Sequence, residues 1–293
     1  MPRFLLFNLN LIKFFYFKGE IMVSIFAFDL DGTLFTEANL IHPETLLALK
    51  KSKEKGHYNV ISTGRALENI INSLGLHIEL FDYLIGSNGS VIYDVINKKT
   101  TVIGKIDTVV FDLLFATALE QGLIMRIDTF KESVSFYNQS QVPDWLKEQN
   151  AMDISQVNFV NAEEIKQFAV EQSNNIVQMA LRGPLKIMEN QANLIREKIG
   201  NFYEVKLTNS IYIDVNAKNI NKWSGIEYIL RPGLINAQNI YAFGDSGNDV
   251  EMLKNASIGI AMGNASDDAK QAADIVIGEN TSNSIATMMY SLI

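Results

Sequence analysis

Two short apolar runs, one near each end of the chain, stop abruptly at acidic residues, and nothing else in the sequence constrains the fold as much. Ile25–Asp29 (IFAFD) leads into Leu30-Asp31-Gly32-Thr33, and Asn239–Phe243 leads into Gly244-Asp245. Tyr58–Ser62 (YNVIS) is followed by Thr63-Gly64-Arg65, Ile258–Ala261 by Met262-Gly263, and Asp274–Ile277 by Gly278. Unbroken apolar runs bounded by polar turns suit parallel strands covered by helices on both faces. Helical spacing fills the gaps. His42 to Lys55 carries Leu46, Leu47 and Leu49 behind Pro43, and Asp249–Asn255 and Ser266–Ala272 separate the late runs. The two ends therefore predict halves of one doubly wound, mostly parallel sheet in an α/β fold, formed by residues 22–90 and 210–293.

The middle has another texture. Residues 91–209 alternate strand-like runs (Thr100–Ile106, Leu123–Asp128, Val134–Tyr137, Ile176–Leu181, Tyr203–Thr208) with two helical patterns, Val109–Gln121 and Leu185–Ile199. An α+β insertion with a largely antiparallel sheet is expected there. Residues 1–21 are set apart. Phe4 to Phe17 is apolar but is broken by Asn8, Asn10 and Lys13, short of the roughly 20 residues that span a bilayer, and it has no small-residue cleavage site. Lys18-Gly19-Glu20 can be encoded by a purine-rich run resembling a bacterial ribosome-binding site just before Met22. Residues 1–21 thus read as a mistranslated leader outside the fold.

Composition narrows the chemistry. The net charge of −8 opposes a nucleic-acid surface, which needs a basic stripe to meet phosphates. The chain has no cysteine, which removes disulfides, thiolate metal sites and thiol nucleophiles, and fits a cytoplasmic protein. The three histidines, His42, His57 and His77, are dispersed and read as surface or loop residues.

Four segments carry candidate chemistry, and each lies where a strand ends or a loop begins, the edge at which doubly wound sheets bind ligands. In Asp29-Leu30-Asp31-Gly32-Thr33 the first acid can act as a nucleophile and the second as a general acid and base. Ser62-Thr63-Gly64-Arg65 offers a hydroxyl and a backbone N–H to a phosphate oxygen, although a plain helix cap explains the threonine equally well. Lys222 could neutralise an anion, with Lys218 an equal rival on spacing alone. In Gly244-Asp245-Ser246-Gly247-Asn248-Asp249, Asp245 could complete a Mg²⁺ site with Asp29 and the main-chain oxygen of Asp31, since Mg²⁺ favours hard oxygen ligands.

This ordered set (DLDGT, STGR, a long insert, a lysine, then GDSGNDVEML) resembles the haloacid dehalogenase (HAD) superfamily, and specifically its Cof-type phosphatase branch, over nearly all of residues 22–293. The resemblance implies a Rossmann-like core with an α/β cap at 91–209 that selects substrate, entered through Ser87-Asn88-Gly89. It implies Asp29 as nucleophile and Mg²⁺ ligand, Asp31 as general acid and base with its main chain on the metal, and Asp245 as the third ligand. It places Leu30 (backbone), Thr63, Gly64, Lys222 and Asn248 against the phosphate, favours Lys222 over Lys218, and sets Asp249 behind the metal ligands. Ser246 stands where many relatives have glycine, a departure expected to have no catalytic consequence. The expected activity is Mg²⁺-dependent hydrolysis of a small phosphorylated metabolite, such as a sugar phosphate or a phosphorylated cofactor, through an aspartyl-phosphate. A phosphomutase, or a phospholigand-binding protein without turnover, would use the same residues. Neither a nucleic-acid nor a membrane partner is expected.

Overall fold

The computed structural model describes residues 22–36, 39–138, 143–147, 149 and 157–293, so the proposed leader at 1–21 lies outside the described residues. The first half of the core comprises β1 (Ser24–Phe28), α1 (Pro43–Glu54), β2 (Tyr58–Ser62), α2 (Leu67–Leu74), β3 (Tyr83–Gly86), β4 (Val91–Asp94) and β5 (Lys99–Val102). The insertion follows with α3 (Val109–Gln121), β6 (Ile124–Thr129), β7 (Ser133–Phe136), α4 (Asp144–Lys147), β8 (Phe159–Val160), α5 (Ala162–Glu171), β9 (Ile176–Arg182), α6 (Leu185–Ile199), β10 (Tyr203–Thr208) and β11 (Tyr212–Ala217). The chain returns to the core through α7 (Lys222–Ile229), β12 (Asn239–Gly244), α8 (Val250–Asn255), β13 (Ile258–Ala261), α9 (Asp267–Ala272), β14 (Ile275–Val276) and α10 (Ser284–Leu292).

The core sheet has the order β14-β13-β12-β1-β2-β3-β4-β5. It is parallel from β14 to β3, with β4 and β5 added antiparallel at one edge. From β1 the chain steps outward through β2 and β3, then returns to the other side of β1 at β12. The strand order therefore reverses between β1 and β12, which opens a crevice at their carboxyl ends. Every side chain of β1 is buried, as a strand covered on both faces requires. At its end Phe28 stacks on Phe243 of β12, with ring centroids 4.9 Å apart. The residues that follow these two rings, Asp29 and Gly244-Asp245, are thus anchored side by side.

The insertion forms a second sheet, β10-β11-β9-β6-β7-β8, antiparallel except where β7 meets β8. One face carries Met125, Ile127, Met179, Leu181, Ile213 and Val215 against the helices α3, α5 and α6. The α/β class with a doubly wound core sheet is as the sequence implies. The division at 91 and 209 is displaced, however. β4 and β5 extend the core sheet, and β11 belongs to the second sheet, so the inserted sheet and its helices lie between Val102 and Lys222. A hairpin added to a sheet edge reads in sequence like a strand of the insertion, which explains the shift. Phe130 likewise packs against the core cluster, unlike Phe111, which lies in the cap. His57 is buried rather than exposed, and its Nδ1 accepts a hydrogen bond from the Ser24 N–H at 3.2 Å.

Because the Phe28–Phe243 stack sets the spacing of the two acid-bearing loops, Phe243→Ala should cost about 3–5 kcal/mol and lower the Tm by roughly 10 °C. Thermal unfolding followed by circular dichroism checks this, and Phe243→Leu should recover much of the loss.

Candidate active site

The crevice between β1 and β12 gathers all four sequence segments. Asp29 follows β1 and is buried. Its Oδ1 lies 2.8 Å from the Lys222 ammonium, which is itself fully buried and sits 2.6 Å from Asp249 Oδ1. Lys222 is delivered by the first turn of α7. There Asn221 and Ser224 close a reciprocal capping box, Asn221 Oδ1 accepting from the Ser224 N–H and Ser224 Oγ from the Asn221 N–H. Lys218 lies apart, donating to the Gly200 carbonyl, so geometry separates the two lysines that spacing could not.

Asp245 emerges from β12 into the same space. Its Oδ1 accepts a 2.6 Å hydrogen bond from Thr33 Oγ1, and its partner loop turns at Gly32, where φ is +78° and an added Cβ would lie 2.5 Å from Asp245 Oδ2. Only glycine fits there. Asp249 fixes the loop from behind: its Oδ2 accepts from the N–H groups of Asp245 and Ser246, both at 3.0 Å. Carboxylate oxygens of Asp29, Asp245 and Asp249 all lie within 4.8 Å of one another.

The electrostatics of this cluster are unbalanced. Three buried carboxylates face one ammonium, leaving two negative charges without a counter-ion if all three ionise. Burial therefore pushes the Asp29 carboxyl up to about 7 despite Lys222, with Asp249 and Asp31 adding to the rise. Burial also raises Asp245 well above the usual carboxylate range, and Asp29 and Asp249 raise it further. Burial would lower the Lys222 ammonium, but Asp249 and Asp29 outweigh that and hold it above its ordinary value. A divalent cation would supply the missing counter-charge and keep the carboxylates ionised, and the all-oxygen donor set suits Mg²⁺. Asp29 and Asp245 each have one oxygen engaged, by Lys222 and Thr33, and a second that could hold it, whereas both oxygens of Asp249 already accept hydrogen bonds.

The phosphate-side residues also converge. Thr63 is buried, and its hydroxyl accepts from the Arg65 N–H at 3.4 Å. It does not cap α2, whose N-cap residue is Ala66, without a side-chain bond. Gly64 lies under Asn88 and Asn248, whose amides an added Cβ would meet at 3.3–3.5 Å. Asn248 Nδ2 donates to Asn88 Oδ1 at 2.9 Å, while its own Oδ1 accepts from Ser246 Oγ at 2.7 Å. Ser246 therefore holds the Asn248 side chain. Leu30 is fully buried behind the loop.

Asp31 is the outlier. Its side chain turns away from Lys222 into a two-point ion pair with Arg65, whose Nε lies 2.7 Å from Oδ2. The same guanidinium donates to Ser73 Oγ and Asn39 Oδ1, each at 2.7 Å, and stacks over Phe35. Sequence reasoning supplied no role for Arg65, and for Asn88 only a place in the loop that enters the insertion. Asn88 bridges core and cap: its Nδ2 donates to Gln178 Oε1 at 3.0 Å and to Asp214 Oδ2 at 3.1 Å. It does so from a left-handed backbone (φ +51°), next to Ser87 at φ +49°, strain that non-glycine residues keep where surrounding contacts demand it.

Residues 26–289 match the family described as haloacid dehalogenase-like hydrolase, and the chain belongs to that family, in its Cof-type phosphatase branch. It is 28% identical to the 5-amino-6-(5-phospho-D-ribitylamino)uracil phosphatase YcsE of Bacillus subtilis, over 92% of this chain and 95% of the relative. It is also 28% identical to the pyridoxal phosphate phosphatase YbhA of Escherichia coli, over 91% and 97%. Among solved structures, the HAD subclass IIB sugar phosphatase BT4131 superposes with a TM-score of 0.75 at 26% identity, covering 92% of this chain and 99% of that one. The chain is accordingly a phosphatase of this family. Among the described residues no helix is long and apolar enough to cross a membrane.

Arg65 holds Asp31 by a planar fork, which lysine cannot reproduce. Arg65→Lys should lower kcat about 10- to 100-fold, less than the roughly 10²- to 10⁴-fold that a positioned acid–base group contributes outright, with a smaller change in KM. Steady-state kinetics on any turned-over phosphate ester checks this, and equal activity in the variant would deny Arg65 a positioning role.

Proposed function

We propose that the protein hydrolyses small phosphate monoesters in two steps, with Asp29 carrying the phosphoryl group between them and Mg²⁺ as cofactor. The observation that supports this most is the buried trio Asp29, Asp245 and Asp249 around a single lysine, an arrangement whose charge calls for a divalent cation beside a carboxylate nucleophile. When bound, the cation would neutralise phosphate charge and keep Asp29 ionised; Asp29, Asp245 and the main chain of Asp31 would hold it.

The remaining steps belong to the chain's own side chains. Asp29 attacks phosphorus in line and displaces the alcohol. Lys222, fixed by Asp249, lies 2.8 Å from the attacking carboxylate and can follow the charge onto the phosphoryl oxygens. The Leu30 backbone, Thr63, Gly64 and Asn248 orient those oxygens, the last held by Ser246 and Asn88. Asp31, once it has taken up a proton in exchange for one of its Arg65 contacts, gives that proton to the departing alkoxide, then takes one from the water that cleaves the aspartyl-phosphate. The cap covers this site and selects the leaving group. Both bacterial relatives act on phosphorylated metabolites, and a substrate of that size suits a site enclosed between two sheets.

Replacing the nucleophile should be the most damaging change. Asp29→Asn should lower kcat by at least ~10⁴-fold, the scale on which nucleophile removal acts elsewhere. Acid-quenched wild-type enzyme should yield a phosphorylated peptide containing Asp29; turnover retained in the variant would discard the mechanism. Cation binding has its own readout. Saturating Mg²⁺ at about 100 times its Kd should stabilise the protein by about 2.7 kcal/mol, seen as a rise in Tm, and that rise should disappear in Asp245→Asn. A Mg²⁺-dependent rise of equal size in the variant would exclude Asp245 as a ligand.

A further inference from the structure

One side chain of the second sheet reaches into the loops of the core. Gln178 lies on β9, between β11 and β6, and is fully buried. Its neighbour Met179 packs with the helices of the insertion, so the alternation of the strand turns Gln178 to the opposite face, toward the core. Its amide uses every hydrogen bond that a glutamine can make. Nε2 donates to the Gly64 carbonyl and to Asp128 Oδ2, both at 3.1 Å. Oε1 accepts from Asn88 Nδ2 at 3.0 Å and from Asn216 Nδ2 at 3.2 Å. The reverse orientation would set its oxygen against a carbonyl and a carboxylate, both acceptors, so the neighbours fix the amide one way round.

Two of these bonds lead to groups assigned above to the phosphate. The Gly64 carbonyl shares a planar peptide with the Arg65 N–H, and that N–H points to Thr63 Oγ1 at 3.4 Å. Holding the carbonyl therefore holds the whole peptide plane. A threonine oxygen that accepts there keeps its own hydrogen for a phosphate oxygen. The second bond runs through Asn88, whose Oδ1 accepts from Asn248 Nδ2 at 2.9 Å. The Asn88 amide is thus gripped at both ends, by Gln178 on one side and by Asn248 on the other. The loop after β2 and the loop after β12 are in this way tied to a single residue of the insertion.

Both ties end on the phosphoryl side of the site, so their effect falls on every substrate alike, whatever its leaving group. We propose that Gln178 is a positioning residue for phosphoryl transfer, holding the Gly64 peptide directly and the Asn248 amide through Asn88. The inference rests on the two-step phosphatase reading above. Gln178→Met tests it, since methionine keeps the length of the side chain and removes all four hydrogen bonds. Three of the partners keep another bond: Asn88 Nδ2 donates to Asp214 Oδ2, Asn216 Nδ2 donates to the Ser87 carbonyl, and Asp128 Oδ2 accepts from Arg126 Nε. The variant should therefore fold, which thermal unfolding checks.

The full-length enzyme is assayed with Mg²⁺ on acetyl phosphate and p-nitrophenyl phosphate, whose leaving groups differ in size and shape. Gln178→Met should lower kcat/KM about 10- to 100-fold, up to the cost of displacing a reacting group by about 1 Å, and by the same factor on both probes. Inhibition by orthovanadate, which adopts the five-coordinate geometry of the phosphoryl group in transfer, should weaken by a comparable factor. On an Asn248→Ala background the loss should be at least about twofold smaller, because one of the two ties then holds nothing. If Gln178→Met does not fold, Gln178→Glu, which keeps the shape but sets an oxygen against the Gly64 carbonyl, is read in the same way. A loss confined to one probe would make Gln178 a contact of the leaving group and overturn the assignment. Unchanged vanadate inhibition would reduce the effect to an inactive fraction, and an equal loss on both backgrounds would sever the link to Asn248; either overturns it while leaving the phosphatase reading intact. Wild-type enzyme inactive on both probes removes that reading and this inference together.

Discussion

The structure depends on three buried acids gathered around one ammonium. Asp29, Asp245 and Asp249 are buried within reach of one another, and Lys222 is the ammonium set among them. Burying carboxylates costs several kcal/mol per ion unless each is paired, so the cluster either takes up protons, as the raised Asp29 and Asp245 carboxyls indicate, or meets a further cation. The surrounding architecture is arranged to keep the acids together. The stacked Phe28 and Phe243 align the ends of β1 and β12, Gly32 allows Asp245 to approach the opposite loop, and the capping box of α7 points Lys222 into the gap.

Around that centre, polar side chains link the core to the cap. Asn88 accepts from Asn248 on the phosphate side and donates to Gln178 and Asp214 on the cap side. Asn216 Nδ2 adds a bond to the Ser87 carbonyl at 2.9 Å. These contacts pass through a segment whose backbone is left-handed at Ser87, Asn88 and Gly89 in succession. The position of the second sheet and the orientation of the Asn248 amide are therefore coupled through one buried asparagine. The cap is built to bring its polar face to the reacting centre while its apolar face is consumed by its own helices.

Much of this was legible in the sequence, for identifiable reasons. Acids placed directly after unbroken apolar strands can point only to the carboxyl edge of the sheet, so Asp29, Asp31 and Asp245 could be located without coordinates. The helices α1, α3 and α6 and the strands β2, β10 and β13 follow from periodicity nearly to the residue. Arg65 was not legible in its role, because an arginine after Thr-Gly reads as a surface residue until its partner Asp31, distant in sequence, is brought beside it. The cap boundaries escaped for a related reason: local pattern identifies a strand but not the sheet it joins, as β4, β5 and β11 demonstrate.

The central claim, that the buried acids are a divalent-cation site, is tested most directly by anomalous diffraction from crystals grown with Mn²⁺ in place of Mg²⁺. A single strong anomalous peak is expected within coordination distance of the carboxylates of Asp29 and Asp245 and the main-chain oxygen of Asp31. Mn²⁺ bound only elsewhere, with these acids bare at saturating metal, would contradict it.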